Sequence, residues 1–94
     1  MMMKKIRRTT KFKKDLKKYQ NKPNTLKALF KVVELLANEM PLPKEIRPHA
    51  LSGNYKGSWE CHVENDSLLI WIETSELGEE IIVLSRFGSH SELF

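Results

Sequence analysis

Cysteine, glycine and long apolar runs are all scarce in this sequence. Cys61 is its only cysteine, and glycine occurs four times in 94 residues. One thiol cannot form an intrachain disulfide and supplies too few ligands for a structural zinc site. The longest apolar run in the body of the chain, residues 68–72, is far shorter than the roughly 20 residues that cross a bilayer as a helix. We therefore exclude disulfide scaffolds, structural zinc proteins and integral membrane proteins, and expect a soluble protein of the reducing cytoplasm.

Acidic residues are nearly absent from the first 22 residues, which hold ten Lys or Arg against Asp15 alone. The remaining residues hold six against eleven acids, and the net charge is +4. No apolar stretch accompanies the basic residues, so we expect no signal peptide. A concentrated basic segment attracts phosphate backbones through counterion release. The same pattern is also typical of a solvated lysine-rich helix face, so charge alone leaves nucleic-acid binding open.

A chain of 94 residues is too short for a multidomain enzyme, and we place one domain over 1–94. It divides into a basic strand and helical hairpin over 4–40, a proline-containing loop over 41–57, and a sheet with a C-terminal turn over 58–94. Apolar residues recur at helical spacing in the first part and with a period of two in the last. The pattern predicts an α+β fold of the order β-α-α-β-β-β, or the same order with a further short strand near residues 49–51, in which an αα-hairpin covers one face of a twisted antiparallel sheet.

Alternation along the strand predicted near residue 60 assigns its side chains to two faces. Trp59, Cys61 and Val63 share one face and are expected in the core, whereas His62 lies on the opposite, polar face. Trp71 lies on a strand with apolar residues on both faces, so the sequence does not decide whether it is in the core.

The three histidines are the residues best suited to acid–base chemistry. His49 lies in the loop before the sheet, and His62 lies on a strand. His90 lies in a short terminal helical turn after the last strand, where Ser89 and Glu92 have the spacing of a capping box. Because the pKa of histidine lies near neutrality, a pair can act as general base and general acid in one step. Asp66, in a hairpin turn predicted at 65–66, could hydrogen-bond the His62 ring or act as the base. Scattered surface histidines without function are the alternative that spacing alone leaves open.

Two further residues have chemistry suited to a nucleic-acid substrate. Arg86, close in sequence to His90, could clamp a phosphate and stabilise charge on a pentavalent transition state, and an ordinary surface ion pair is the alternative. Phe94 is either a frayed hydrophobe or a platform on which a base stacks. Metal ligation is not favoured, because HxH, HExxH and CxxC are absent and Cys61 and His62 point to opposite faces of a strand. We expect no metal or other cofactor.

Four motifs, in order along the chain, resemble those of the YafQ-like branch of the RelE superfamily of bacterial toxins, which are mRNA interferases. They are P-H-A-L-S-G at 48–53, Y-K-G at 55–57, C-H-V-E-N-D at 61–66 and R-F-G-S-H-S-E-L-F at 86–94. The lysine-rich first helix and a P-L-P loop at 41–43 extend the match over nearly the whole chain.

The resemblance implies a RelE-like toxin that enters the ribosomal A site, cleaves mRNA there without a metal ion and is neutralised by a cognate antitoxin. Operator DNA would be bound only through the antitoxin complex, and no membrane partner is implied. The family's functional positions fall on His49, His62, Asp66, His90 and Phe94. Where relatives can carry an aromatic residue this chain has Ser67, so Trp71 or the message bases would replace that stacking contact.

These implications give a hypothesis for the role of each residue. His90 is the general acid, and His62 with Asp66 is the base or base-orienting pair. His49 and Arg86 bind phosphate. The predicted catalytic set is His49, His62, Asp66, Arg86 and His90; the predicted substrate contacts are Lys56, Trp71 and Phe94; and the predicted ribosome contacts are Lys11, Lys13, Lys14, Lys17 and Lys18.

Three alternatives remain at this point. A ParE-like toxin would share the fold but act on gyrase, and it would lack this histidine set. A non-catalytic basic module would bind RNA or DNA through its lysines, and its histidines would have no role. A degenerate member of the family would survive only as an antitoxin-binding co-repressor.

Overall fold

The structure, a computed structural model, describes residues 3–44, 46, 48–64 and 66–94. Asn65, which we assigned with Asp66 to a hairpin turn, and positions 45 and 47 of the 41–57 loop lie outside the described residues. In chain order the elements are β1 (Lys5–Arg8), α1 (Thr10–Lys18), α2 (Pro23–Ala37), β2 (His49–Ala50), a 3₁₀ turn (Gly53–Tyr55), β3 (Trp59–Glu64), β4 (Ser67–Glu76), β5 (Glu79–Ser89) and α3 (His90–Leu93).

The strands form one sheet in the order β1-β5-β4-β3-β2, and the α+β class and order of elements agree with the prediction. Strands β2 to β5 pair antiparallel, but β1 pairs parallel to β5, from Lys5 beside Ile81 to Arg8 beside Leu84. The antiparallel pairing expected for the meander is confirmed, and the sheet as a whole is corrected to a mixed one because of β1. A tight hairpin fixes strand direction, whereas β1 reaches β5 only through tertiary packing, which leaves no local sequence signal.

Helices α1 and α2 cover one face of the sheet, which we call the helical face. Its core contains Phe12 and Leu29 from the helices and Cys61, Trp71 and Phe87 from β3, β4 and β5. Each of these side chains is at most 1% exposed. No helix in the described part of the chain combines the length and apolar character needed to cross a membrane.

The expectation that Trp59 lies in the core is wrong. Its side chain is 37% exposed, and its cross-strand partner Trp71 is the buried tryptophan instead. Trp59 begins β3 and pairs on its other side with Ala50 of the exposed two-residue edge strand β2, where little of the chain is available to cover it.

A β-bulge in β5 controls which side chains reach each face. Ile70 of β4 pairs with Arg86, but the next residue, Trp71, pairs with Leu84, so Ser85 has no partner on β4. An extra residue of this kind reverses the alternation of side chains along the bulged strand. Leu84 is consequently buried with the helical-face core while Arg86 shares the opposite face with Ile70.

The opposite face, which we call the outer face, is covered over only part of its area. A small apolar cluster there joins Leu68 and Ile70 of β4 to Leu93 of α3, and Leu51 and Tyr55 of the loop pack against it. Since no long helix lies over this side in the described residues, the polar side chains that surround the cluster can meet a large ligand.

Candidate active site

Cross-strand pairing places three of the five predicted catalytic residues in two rows on the outer face, because directly paired residues of antiparallel strands share a face. The first row comprises His49, Glu60, Ile70 and Arg86. The second row comprises His62, Leu68 and Gly88. The rows are two residues apart along the strands, about 7 Å, and β3 and β5 are two strand spacings apart, about 10 Å. Polar groups thus flank an apolar floor at a separation comparable to one nucleotide.

His49 is oriented by a buried carboxylate. Its Nε2 lies 2.8 Å from Oε1 of Glu60, and the Glu60 side chain is only 8% exposed while that of His49 is 52% exposed. When Nε2 donates its proton to Glu60, Nδ1 of His49 carries the lone pair that can accept a proton. Glu60 can therefore fix both the orientation and the tautomer of the His49 ring.

His62 is exposed on the same face, two residues along β3 from Glu60. Asp66 is exposed in the turn between β3 and β4. Both are described residues, and no hydrogen bond joins them in this structure. The structure thus places His62 on the predicted face without forming the predicted His62–Asp66 contact.

His90 and Phe94 lie on one side of the short helix α3. Their rings are stacked, with centroids 4.9 Å apart and planes inclined by 29°. The ring of Tyr55 contacts Phe94 edge-on at 5.2 Å, and the Tyr55 hydroxyl donates a hydrogen bond to the carbonyl of Leu93 at 3.0 Å. Phe94 is still 53% exposed, so the stack can accept a further aromatic ring, such as a base.

A capping box fixes the start of α3. Ser89 Oγ accepts the backbone N–H of Glu92 at 3.2 Å, and Oε1 of Glu92 accepts the backbone N–H of Ser89 at 2.8 Å. Gly88 permits this close approach, since a Cβ at that position would lie 3.0 Å from Oε1 of Glu92. The cap holds His90 at the first position of the helix.

Tyr19 connects this cap to helix α1. Its hydroxyl donates to Oε1 of Glu92 at 2.9 Å. Burial, with the hydrogen bond to Glu92, raises the pKa of Tyr19 to about 12. The backbone N–H of Ser89, followed by the Tyr19 hydroxyl, lowers the pKa of Glu92 below its ordinary value. At neutral pH the cap therefore joins a neutral phenol to an ionised carboxylate.

Arg86 does not form an ordinary surface ion pair. Its Nε and Nη2 donate to Oδ2 and Oδ1 of Asp15 at 2.8 and 3.2 Å, and Asp15 is 4% exposed. The hydrogen bond to Asp15 raises the pKa of Arg86 further above its ordinary value. The guanidinium is a permanent, fixed cation at the margin of the outer face.

The structure separates the predicted substrate contacts. Lys56 is exposed in the turn that follows the 3₁₀ turn, and Phe94 is exposed beside His90. Trp71 is 1% exposed in the core of the helical face, where no base can stack on it. We correct the assignment of Trp71 as a substrate contact for that reason.

The five predicted ribosome contacts are all exposed on α1: Lys11, Lys13, Lys14, Lys17 and Lys18. Three other basic residues of the N-terminal segment are paired with carboxylates instead. Lys4 lies 3.5 Å from Glu73, Lys5 lies 3.8 Å from Glu79, and Arg7 binds Glu76. The available positive charge is therefore concentrated on α1.

Sequence reasoning missed three residues that complete the site: Asp15, Tyr55 and Glu60. Glu60 has the same strand parity as His62, and Asp15 is the single acid of the basic segment and follows Phe12 at helical spacing. The signals for Glu60 and Asp15 were present in the sequence, but each pattern is also typical of an acid exposed to solvent. In the described part of the chain, three or more His, Cys, Asp or Glu side chains nowhere converge as potential metal ligands.

Comparison with known proteins defines the class of protein to which this chain belongs. The family model described as the bacterial toxin of type II toxin-antitoxin systems, YafQ, matches residues 4–94. A five-stranded sheet with a helical hairpin on one face and this polar site on the other is thus the fold of a small bacterial type II toxin. The chain belongs to the YafQ toxin family.

Three relatives illustrate the similarity. The mRNA interferase toxin YafQ of Escherichia coli K12 is 32% identical over 95 residues, covering 100% of this chain and 99% of that protein. The crystal structure of a metal-bound toxin from Helicobacter pylori has a TM-score of 0.83 and 42% identity, covering 98% and 100% of the two chains. YafQ in the E. coli DinJ–YafQ toxin–antitoxin complex has a TM-score of 0.82 and 31% identity, covering 99% of each chain.

Proposed function

We propose that this protein is an mRNA interferase that cleaves mRNA in the ribosomal A site, using its own side chains for acid–base catalysis, and so inhibits translation. The observation that carries the proposal is the convergence of three histidines, a buried carboxylate and a fixed arginine around the apolar floor of the outer face. Family membership and the similarity to the mRNA interferase of E. coli support it.

The chemistry requires three groups. A base removes the proton of a ribose 2′-OH, and the oxygen attacks the adjacent phosphorus. A cation offsets the charge of the resulting phosphorane. An acid then protonates the departing 5′-oxygen, which leaves a 2′,3′-cyclic phosphate on one fragment and a 5′-hydroxyl on the other. The outer face holds candidates for all three.

We assign His90 as the general acid, because it stacks on Phe94 at the margin where a base and its phosphate would lie. Arg86 offsets the charge of the phosphorane. For the base, the hydrogen bond to Glu60 favours His49 over His62, the base of the sequence-based hypothesis. His62 and Asp66 then contact the phosphate or ribose next to the cleaved bond.

The exposed lysines of α1 are the proposed contact with ribosomal RNA. They present a cationic helix surface with no carboxylate within ion-pair distance among the described residues, and phosphate contacts of this type dominate RNA affinity. By analogy with the DinJ complex of the E. coli relative, we propose that a cognate antitoxin binds and neutralises this toxin. Operator DNA would be bound through that complex.

Expression without antitoxin tests the proposal. Wild type, His90→Ala and the neighbouring control Ser91→Ala are induced in a bacterial host, growth is recorded, and mRNA ends are mapped by primer extension. We expect growth arrest and codon-phased cuts for wild type and Ser91→Ala, and a loss of cleavage of about 10²–10⁴-fold for His90→Ala. Circular dichroism of the purified variants checks that each is folded.

Two outcomes would contradict the proposal. Arrest by both wild type and His90→Ala without mRNA cuts would make the histidines bystanders, and a gyrase supercoiling assay would then test the ParE-like alternative. A folded His90→Ala protein that cleaves mRNA as fast as wild type would remove His90 from the mechanism.

A further inference from the structure

One acidic side chain is buried beneath the basic surface of α1. Asp15 is 4% exposed, and it is the single acid among the first 22 residues. Its Oδ2 accepts both the Nε–H of Arg86 at 2.8 Å and the backbone N–H of Phe87 at 3.0 Å. Its Oδ1 accepts from Nη2 of Arg86 at 3.2 Å. One carboxylate therefore holds the backbone and a side chain of β5 together.

The backbone contact fixes the position of the carboxylate. Pairing of β1 with β5 ends where Arg8 lies beside Leu84, so beyond that point the edge of β5 is completed by side chains of the α1 segment. Thr9 Oγ1 donates to the carbonyl of Ser85 at 2.9 Å, and Asp15 accepts from Phe87. Because unpaired buried backbone groups are costly, this edge holds Asp15 in one place.

The side-chain contacts fix the orientation of the guanidinium. The Ser85 bulge turns Arg86 towards the outer face, and side-on pairing with Asp15 uses two of the five N–H donors of Arg86. The other three lie in the same rigid plane, and Tyr55 is a further hydrogen-bond neighbour of the guanidinium. A planar fork held in this way matches a phosphate better than a free arginine, which must first lose its rotamer freedom.

We propose that Asp15 is a positioning residue, which holds Arg86 side-on so that its remaining donors meet the scissile phosphate already oriented. The inference rests on the proposed function, in which Arg86 offsets the charge of the phosphorane. It also gives α1 two functions on opposite sides, since exposed lysines face a polyanion while the buried acid orients a group of the catalytic face.

Side-chain NMR tests the contact without relying on activity. The Arg86 Nε–H resonance is assigned by its loss in Arg86→Lys, and its exchange with water is measured in wild type and in Asp15→Asn. We expect slow exchange in wild type and, in Asp15→Asn, exchange as fast as that of the exposed Arg8. Unchanged slow exchange in Asp15→Asn would overturn the proposal.

Kinetics on programmed ribosomes tests the consequence. Asp15→Asn keeps the size of the side chain and an acceptor for the Phe87 N–H but removes the charge. We expect kcat to fall about 10- to 100-fold, as when a catalytic group is misplaced, with little change in KM. In an Arg86→Gln background the same change should lower kcat hardly further, because its effect acts through Arg86.

Thr25→Val is the matched control. Thr25 is 8% exposed and its hydroxyl donates to Glu64 at 3.1 Å, so the variant also loses a hydrogen bond from a buried helical side chain, at a site not in contact with Arg86. We expect its kcat to equal that of wild type at a temperature well below the melting point of every variant. Equal loss of kcat in Asp15→Asn and Thr25→Val would show that Asp15 acts only through stability and would overturn the proposal.

Failure of the proposed function gives a different result. If wild type shows slow Arg86 exchange but no RNA cleavage, the interferase assignment is wrong, and titration with inorganic phosphate, followed at Arg86 Nε–H, tests the positioning alone. Weaker phosphate binding by Asp15→Asn than by Thr25→Val would support the inference, and equal binding would overturn it.

Discussion

Glu60 distinguishes His49 from the other two histidines of the outer face. Its buried carboxylate lies 2.8 Å from Nε2 of His49, whereas no hydrogen bond from His62 or His90 to a carboxylate is present among the described residues. A buried carboxylate is costly unless it is paired. The hydrogen bond to His49 is the pairing that offsets this cost.

We predict that Glu60→Gln lowers kcat for RNA cleavage, because an amide can hydrogen-bond either form of the ring and no longer selects the tautomer that carries a lone pair on Nδ1. The loss should be smaller than the roughly 10²–10⁴-fold expected for His49→Ala. Glu64→Gln is the control, since Glu64 is on the same strand but accepts a hydrogen bond from Thr25 of α2. If His62→Ala rather than His49→Ala abolishes the acidic limb of the pH–rate profile, where activity falls as the base becomes protonated, the base is His62.

The sequence predicted the histidines of this face better than their partners. His62 followed from strand parity, and His49 and His90 from the motifs they occupy. Glu60 has the parity of His62, but an acid on the polar side of a strand usually indicates solvent. Its burial arises from β2 and β4 on either side, which are pairings made only in the folded chain.

At the scale of secondary-structure elements, α3 is short enough to depend on its cap. Only four residues form the helix, fewer than an isolated helix needs to be stable in water. The hydrogen bonds of Glu92 to Ser89 and Tyr19, and that of Tyr55 to Leu93, replace the stability that length would supply. The orientation of His90 therefore depends on contacts with α1 and with the loop before β3.

The ionisation of Glu92 makes part of this stability depend on pH. Its pKa is lower in the folded protein than its ordinary value of 4.5, so its contribution is complete above about that pH and is lost as the pH falls through the folded value. We predict that Glu92→Gln lowers the free energy of unfolding at pH 7 by an amount typical of a cap, about 1 kcal/mol or less, and so lowers the melting temperature. The difference from wild type should shrink below pH 4.5. A difference that stays constant down to pH 3 would contradict this account.

The sequence predicted the capping box but not the bulge before it. Ser89 and Glu92 have a spacing whose meaning is local, so the motif alone was sufficient. The Ser85 bulge leaves no such signal, because strict alternation would place Arg86 beside Leu84 on the helical face. Only the pairing with β4 shows that the two residues face opposite sides.

At the scale of the whole molecule, charge is sorted by tertiary pairing as well as by sequence. The N-terminal segment is almost uniformly basic in sequence, yet β1 lies beside the acidic end of the β4–β5 hairpin, where Arg7 and Lys4 pair with Glu76, Glu73 and Glu80. The sequence could predict the excess of positive charge but not which basic residues are neutralised, since these partners are about 70 residues away. The charge that remains available is on α1.

This distribution predicts which lysines govern ribosome binding. Lys13 and Lys17 are exposed and four residues apart on α1. Reversing the charge of both side chains should weaken ribosome association. It should also reduce the slope of log K against log salt by about 0.7–0.9 for each phosphate that the helix no longer binds. The control reverses Lys27 and Lys31, which have the same spacing and exposure on α2 and give the molecule the same net charge. Only the position of the reversed charges differs between the two variants. Equal weakening of ribosome association in both would mean that net charge alone drives it. Weakening confined to the α1 variant would identify that helix as the ribosome-binding surface.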